Sequence, residues 1–316
     1  MQLTALSRKS AVMAMILLAA MLVVALCRRI LTPFQMELAN GDIDKLLYII
    51  ISGATLFACG VIIGKSHTRS GLTSGFSALS MPLFALLSCG IFVASDIFVS
   101  TLTSLCLAIA IFLLLRSLRS SEEKDSIFFA ALLLGVMALI YPPAIVLFFM
   151  LPFLVFILVL SLRQMVMLIV AYFLPFLTTS YVKWYMGEEF WSVGEGIANA
   201  LITPQMGEIT HLPYVAIAIA AVVVILLIWG LVHSIFRGNK ILRMARDRRA
   251  LYLFLWMTII CLAMFAIPGW SLTIFAISAV PLSVLLAFVL GFLPDNLSTI
   301  AYWVLLALFA VHLFMA

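Results

Sequence analysis

The sequence predicts an all-α fold, a polytopic transmembrane helical bundle, from three observations. Hydrophobic residues make up 66% of the 316 residues and charged residues only 10%, whereas soluble domains are about half apolar and a quarter charged. The apolar residues form long unbroken runs, such as 214–235, without the alternation of a transmembrane barrel. The basic residues lie in short segments between these runs. Residues 1–316 are therefore predicted to form a single integral membrane domain.

About eleven spans are predicted when each apolar run receives about 20 residues. The first run follows Arg8 and Lys9 like a signal peptide, but it is long and no small-residue cleavage site follows it; we expect it to be retained as a span. The predicted spans are 11–27, 46–64, 74–94, 97–115, 127–141, 144–161, 165–182, 213–235, 251–267, 270–292 and 298–316.

Three of these divisions cut long apolar tracts at residues that break helices. The cuts fall at Ser95-Asp96, Tyr141-Pro142-Pro143 and Pro268-Gly269, where a turn is favoured over a continuing helix. Residues 127–161 could instead form one kinked span and a re-entrant piece. That alternative gives about ten spans and reverses the topology of everything downstream.

The distribution of basic residues favours eleven spans with the N-terminus in the cytoplasm and the C-terminus outside. In that topology 14 of the 18 Lys and Arg residues face the cytoplasm, and only Arg28, Arg29, Lys45 and Lys183 lie outside. This is the asymmetry of the positive-inside rule. Ten spans would place the basic segment 237–249 outside.

Composition excludes several partners and cofactors. The net charge of +5 is explained by the topology-setting loops, so we expect no binding of nucleic acid. The cysteines lie inside apolar runs at no ligand-like spacing, and no His, Asp and Glu set has the spacing of a metal site, so neither a disulfide nor a bound metal is expected. These cysteines are Cys27, Cys59, Cys89, Cys106 and Cys261.

The first predicted outer loop carries two carboxylates directly before the second span. Asp42 and Asp44 could act as a general base or share a divalent cation through their oxygens. A simpler interpretation is a solvated loop in which one of the two caps the following helix.

The largest predicted outer loop, 183–212, combines aromatic and acidic residues. Aromatic side chains at headgroup level anchor a segment in the membrane interface, and rings beside carboxylates also form sugar-binding clefts. Both interpretations remain open for the residues concerned, chiefly Trp184, Glu188, Glu189 and Trp191, with Glu195 and Glu208 further along.

Two other features, Asp96 and the basic segment 237–249, have simple explanations. Asp96 is a turn residue or a proton relay, and the turn is the simpler interpretation. The basic segment 237–249 could bind anionic lipid headgroups or mark topology alone. Phosphate-loop, nucleophile-elbow and zinc-protease motifs are absent from the sequence, so ATP hydrolysis and hydrolase chemistry by those routes have no support.

Parts of the sequence resemble two known groups of membrane proteins. Residues 113–119 and 128–144, with Gly135 and Tyr141-Pro142-Pro143, and the proline-containing segments 174–177 and 277–284, resemble an uncharacterised family of multi-pass inner-membrane proteins of Bacteroidota. That resemblance implies the bacterial inner (cytoplasmic) membrane and names no activity.

The basic loop at 116–119, followed by a glycine-containing span that ends in proline, also resembles the GT-C superfamily of membrane glycosyltransferases. The resemblance implies a polyprenyl-phosphate-linked sugar donor, Asp42 or Asp44 as the catalytic carboxylate, and substrate binding by the loop after the seventh span. Arg28 and Arg29 would then bind the lipid phosphate; their simpler role is interfacial snorkelling. The first loop, about 18 residues long, is shorter than is general in that superfamily.

Three functions follow as expectations. The first is a GT-C-like transferase of envelope biogenesis, which requires Asp42 or Asp44 to face an outward cavity. The second is a non-enzymatic scaffold or subunit of an envelope complex, whose partners would be membrane lipids and other envelope proteins. The third is a transporter, which would need polar groups at mid-membrane.

Overall fold

The computed structural model describes residues 11–31, 42–70, 79–90, 97–119, 125–203, 218–219, 221–229, 245–271, 273–293 and 295–315. This part of the chain is helical throughout apart from short turns, and it contains no strand. The predicted all-α class is confirmed.

The helices in the described residues are numbered here in chain order. They are α1 (Ala11–Leu31), α2 (Asp42–Ser70), α3 (Ser80–Gly90), α4 (Ile97–Arg119), α5 (Asp125–Ile140), a 3-10 helix (Pro142–Phe149), α6 (Met150–Leu158), α7 (Leu162–Tyr185), α8 (Ser192–Ile202), α9 (Ala245–Ala263), a 3-10 turn (Met264–Ala266), α10 (Thr273–Phe292) and α11 (Asp295–Met315). Residues 218–219 and 221–229 are also helical.

Five stretches of helix in the described residues are long and apolar enough to cross a membrane, namely Ile50–Thr68, Phe98–Leu118, Leu162–Tyr185, Asp247–Ala266 and Thr273–Gly291. Four shorter apolar helices, Val12–Val23, Asp125–Ile140, Pro142–Leu158 and Asn296–Val311, accompany them. Since soluble domains do not carry helices of this kind, the protein is a helical membrane protein.

Helix bounds add detail to the predicted spans. The first helix continues beyond the predicted span 11–27, through Arg28 and Arg29 to Leu31. The predicted span 144–161 is not one α-helix, because it begins as the 3-10 helix and becomes α-helical only from Met150. The Ser95-Asp96 division and the basic loop up to residue 244 lie outside the described residues.

Helix α3 forms the centre of the bundle. Every side chain from 79 to 88 is buried, and α3 packs against α1, α2 and α10, with further contact to α11. By contrast α7 lies at the periphery, where Val166, Val170, Phe173 and Leu177 are exposed along one stripe. An apolar stripe of this kind is stable when it faces lipid.

The chain reverses direction at Tyr141. The backbone there is extended (φ −130°, ψ 96°) and is followed by two prolines, which cannot donate the hydrogen bonds that would continue α5. Gly135, before the break, packs against the Tyr172 carbonyl. Ile145, after the break, accepts a 3.3 Å hydrogen bond from the Tyr172 hydroxyl. Both arms therefore lie beside the same residue of α7, and the number of membrane crossings within 127–161 stays a prediction.

Some buried hydroxyls join two helices, and others bond to a carbonyl of their own helix. Ser100 Oγ of α4 lies 3.0 Å from Thr273 Oγ1 of α10. The hydroxyls of Thr103 and Ser104 instead donate to carbonyls one turn back on α4, a common arrangement in transmembrane helices. Cys59, Cys106 and Cys261 are buried thiols that pack as small apolar residues; the side chains of Cys27 and Cys89 lie outside the described part.

The two ends of the bundle carry opposite charge. Contacts between Ser100 and Thr273 and between Tyr141 and Ser271 place the starts of α4 and α10 and the end of α5 at one end, here called the Tyr141 end. The other end of the bundle contains the end of α4 and the starts of α7 and α9, and it is here called the arginine end. Its exposed basic residues are Arg116, Arg163, Arg248 and Arg249; Asp125 is exposed there too, and Asp247 is half-buried. The Tyr141 end exposes Glu188, Glu189 and Glu195 beside Lys183.

Candidate functional site

The candidate site is the segment 183–203, here called the cap segment, at the Tyr141 end. Helix α7 ends in this segment by a Schellman motif: Glu188 N donates to Lys183 O and Gly187 N donates to Trp184 O, each at 3.0 Å. Gly187 has a φ of +94°, a left-handed conformation that glycine adopts without steric cost. The sequence Met186-Gly187 therefore turns the chain sharply at the end of α7.

Glu188 braces this turn. Its carboxylate accepts a 3.0 Å hydrogen bond from Lys183 Nζ and a 3.2 Å hydrogen bond from Ser192 Oγ. The bond and charge of Lys183, followed by the bond from Ser192, hold the pKa of Glu188 below its ordinary value. The carboxylate thus links the last turn of α7 to the first residue of α8, and a structural role is its observed role.

The other predicted binding residues of the cap segment are accessible. Trp184 is 56% exposed and Trp191 is 72% exposed, and Glu189 and Glu195 are exposed as well. Each indole contacts one neighbouring ring, Trp184 with Tyr181 and Trp191 with Phe190. The cap segment therefore presents two aromatic faces and the exposed carboxylates of Glu189 and Glu195 close to where α7 leaves the bundle.

Helix α8 returns to the bundle and is fastened to the turn that precedes α10. Gly269 N donates a 3.0 Å hydrogen bond to Leu201 O. A Cβ atom at Gly269 would collide with the carbonyl oxygen of Ala200, so this close approach requires glycine.

The same turn is also fastened to the break after α5. Ser271 N and Ser271 Oγ lie 3.0 Å and 3.3 Å from the Tyr141 hydroxyl oxygen. Three separate segments therefore meet at one end of the bundle: the Tyr141 break, the end of α8, and the turn 267–271. The sequence predicted Tyr141-Pro142-Pro143 and Pro268-Gly269 only as helix breaks. The predicted topology puts both on the outer side, and that shared side is the sequence signal for their meeting.

The acidic and basic residues predicted for the first outer loop lie on other helices. Asp42 and Asp44 are in the first turn of α2, and Arg28 and Arg29 are in the last turn of α1. Their side chains lie outside the described part of the structure, so a divalent cation between Asp42 and Asp44 stays a prediction. Carboxylates in a first helical turn are favourable for the helix dipole, and the capping interpretation stays a prediction as well.

Among the described residues, the helices that carry the two predicted groups do not pack extensively against each other. The close packing partners of α2 are α1, α3 and α4, whereas α8 packs against α7 and the 3-10 helix after Tyr141. Among the described residues no group of three His, Cys, Asp or Glu side chains could hold a metal ion.

Comparison with known proteins adds no relative: no protein-family model, curated protein or solved structure matches the chain. Chemically, the exposed indoles could stack on sugar rings or lie among lipid headgroups, and the exposed carboxylates Glu189 and Glu195 could accept hydrogen bonds from hydroxyl groups.

Proposed function

We propose that the protein is a multi-pass protein of the bacterial inner membrane with about eleven spans, a cytoplasmic N-terminus and an external C-terminus. The opposite charge of the two ends supports this orientation. The exposed arginines of α4, α7 and α9 lie at one end, and basic residues flank the cytoplasmic side of inner-membrane proteins. The cap segment would then face outward.

We infer that the protein acts there as a GT-C-like glycosyltransferase on a polyprenyl-phosphate-linked sugar in envelope biogenesis. The observation that carries this proposal is the braced cap segment, which exposes Trp184, Trp191 and Glu189 where a span leaves the bundle. A lipid-linked sugar presents its ring at that level of the membrane. Glu188, held by Lys183, would position the two indoles rather than bind substrate directly.

The proposed transfer reaction gives a role to each of the remaining predicted residues. Asp42 or Asp44 would remove the proton of the acceptor hydroxyl, and the resulting oxygen would form a bond to the anomeric carbon of the sugar. The bond between that carbon and the phosphate oxygen breaks, and polyprenyl phosphate leaves as an anion. Arg28 and Arg29, or a divalent cation at the two aspartates, would stabilise the developing negative charge.

The test is a turnover and binding assay in proteoliposomes with several polyprenyl-phosphate sugars. We would compare the native protein with an Asp42→Ala, Asp44→Ala double variant and with Trp191→Ala, each checked for insertion and thermal stability. Turnover that the double variant loses, with binding retained, would support the aspartates as the catalytic pair. Sugar binding that Trp191→Ala weakens would support the cap segment as the binding site.

A non-enzymatic subunit of an envelope complex is the second candidate. It is favoured by the packing of α2 and α8 on different neighbours and by the use of the Glu188 carboxylate in an ion pair. Absence of both binding and turnover across the donors would favour it over the transferase. Transport is third, because the hydroxyls of Thr103 and Ser104 inside α4 are engaged by its own backbone.

A further inference from the structure

One side of α7 carries a continuous exposed apolar stripe. Of the five long apolar helices in the described residues, α7 is the least buried, with 28% of its residues buried against 50% or more in the others. The side that packs against α5 holds the buried side chains Leu168, Ala171, Tyr172 and Pro175. Four apolar side chains on the opposite side, spaced by four, three and four residues, are between 43% and 54% exposed. They are here called the α7 outer face: Val166, Val170, Phe173 and Leu177.

An arginine lies at the end of this stripe. Arg163 is three residues before Val166 and seven before Val170, which places it on the same side of α7. It is exposed, and among the described residues no carboxylate pairs with it. Asp125 is exposed at the same end of the bundle, but it begins α5, which packs against the other side of α7. The α7 outer face therefore ends in a guanidinium that stays charged and can extend to headgroup level on its apolar stem.

The side chains and the length of this face suit a lipid better than another helix. Helix interfaces in membranes are enriched in small residues that let two backbones approach closely, whereas the α7 outer face is built from valine, phenylalanine and leucine. The helix rises about 15 Å from Arg163 to Phe173, at about 1.5 Å per residue, which is half the thickness of a hydrocarbon core of about 30 Å. The Phe173 ring is held there by Phe148 of the 3-10 helix, with ring centroids 5.5 Å apart. The stripe therefore matches one acyl chain that runs from a headgroup at Arg163 to the middle of the membrane.

We propose that the α7 outer face binds one phospholipid with a net negative headgroup. Its phosphate is bound by Arg163, and an acyl chain lies along Val166, Val170 and Phe173. The guanidinium can donate two parallel hydrogen bonds to the phosphate oxygens. Charge complementarity selects the headgroup, because one basic residue near the membrane surface favours an anionic over a zwitterionic lipid by about fivefold. This site is separate from the cap segment and does not depend on the proposed transferase activity.

The test is photocrosslinking of the full chain in nanodiscs that contain equal amounts of phosphatidylglycerol and phosphatidylcholine with the same acyl chains. Benzoylphenylalanine, whose excited ketone inserts into nearby C–H bonds, replaces Val166 in one protein and Ile300 in another. Ile300 is the matched control, because it is 58% exposed, against 53% for Val166, near the start of α11, a helix without Lys or Arg. Mass spectrometry of the irradiated peptides gives the ratio of the two lipid adducts. We expect the phosphatidylglycerol adduct to be enriched about fivefold at position 166 relative to position 300.

Two charge variants, each made in the protein that carries the crosslinker at position 166, make the assignment specific. Arg163→Gln should return the adduct ratio there to the value at position 300, whereas Arg249→Gln, the same change on α9, should leave it unchanged. Equal ratios at the two positions without either variant would overturn the proposal, because the lipid beside α7 would then be bulk lipid. Enrichment that survives Arg163→Gln, or a crosslink to a second protein chain in place of lipid, would overturn it as well.

Discussion

The hydroxyl oxygen of Tyr141 lies 3.0 Å from the backbone nitrogen of Ser271, across 130 residues of sequence. One phenol thus connects the break after α5 to the turn before α10. Because that turn also bonds to Leu201 at the end of α8, the position of the cap segment depends on a small number of directional contacts. Several of them can be tested one at a time.

Replacing Tyr141 with phenylalanine should destabilise the protein. The change keeps the ring but removes the acceptor of the Ser271 N–H, and leaving a partly buried donor unpaired costs about 1–3 kcal/mol. Thermal unfolding in detergent would measure the effect as a lower midpoint.

Tyr302→Phe is the matched control for that experiment. Tyr302 is equally well buried, but its hydroxyl has no partner among the described residues. Its removal should therefore leave the unfolding midpoint unchanged or raise it, because an unpaired buried hydroxyl is itself unfavourable. Equal losses in the two variants would contradict the assigned role of Tyr141.

Gly269→Ala should displace α8 from the bundle. The added methyl group would collide with the Ala200 carbonyl oxygen, which belongs to backbone and cannot rotate away. We expect a loss of about 1–3 kcal/mol, as for overpacking in general, together with faster proteolysis of the cap segment. Limited proteolysis of reconstituted protein would show it.

Gly196→Ala should have the opposite effect on stability from Gly269→Ala. Gly196 lies inside α8, and nothing lies within 4 Å of a Cβ built there. Alanine should therefore stabilise the helix by up to about 1 kcal/mol, the difference in helix propensity. If both glycine variants behave alike, the close approach at Gly269 is not what fixes α8.

Hydropathy predicted the class of fold, and the residues that break helices predicted the breaks, since both signals are local in the sequence. The two cuts that fall in described residues, at Tyr141-Pro142-Pro143 and at Pro268-Gly269, coincide with a chain reversal and a turn. The number of membrane crossings stays a prediction. The 3-10 start of 142–149 was not predictable in the same way, because apolar periodicity does not distinguish a 3-10 helix from a short α-helix.

The sequence predicted which residues form the cap segment but not how they contact one another. Aromatic and acidic residues around Gly187 indicated an interfacial or binding segment, and α8 is the helix that the interfacial interpretation anticipates. The partner of Glu188 is five residues away, at Lys183, and depends on the left-handed turn at Gly187. The contact of Gly269 with Leu201 joins residues 68 positions apart, and no local pattern encodes it.

The Ser100–Thr273 hydrogen bond should be measurable as a coupling between α4 and α10. Polar contacts between transmembrane helices contribute about 0.6 kcal/mol on average and at most about 1.7 kcal/mol. A double-mutant cycle with Ser100→Ala and Thr273→Val should give a coupling in that range. Ser278→Ala serves as the control partner, because its hydroxyl donates to Phe275 O on its own helix; a coupling of equal size with Ser278 would argue against the interhelical bond.

Titration of Glu188 offers a test of the brace itself. Because Lys183 and Ser192 favour the ionised carboxylate, the pKa of Glu188 in the folded protein lies below its ordinary value. The stabilisation that this ion pair supplies is therefore present above the unfolded-state pKa of glutamate and is lost as pH falls through the lower, folded-state pKa. Carbon-13 NMR of the labelled carboxyl groups, with Glu188→Gln to assign the signal, measures the pKa directly. Lys183→Met should return it toward the ordinary value, Ser192→Ala should move it less, and a pKa insensitive to Lys183→Met would show that the turn is held by its backbone bonds alone.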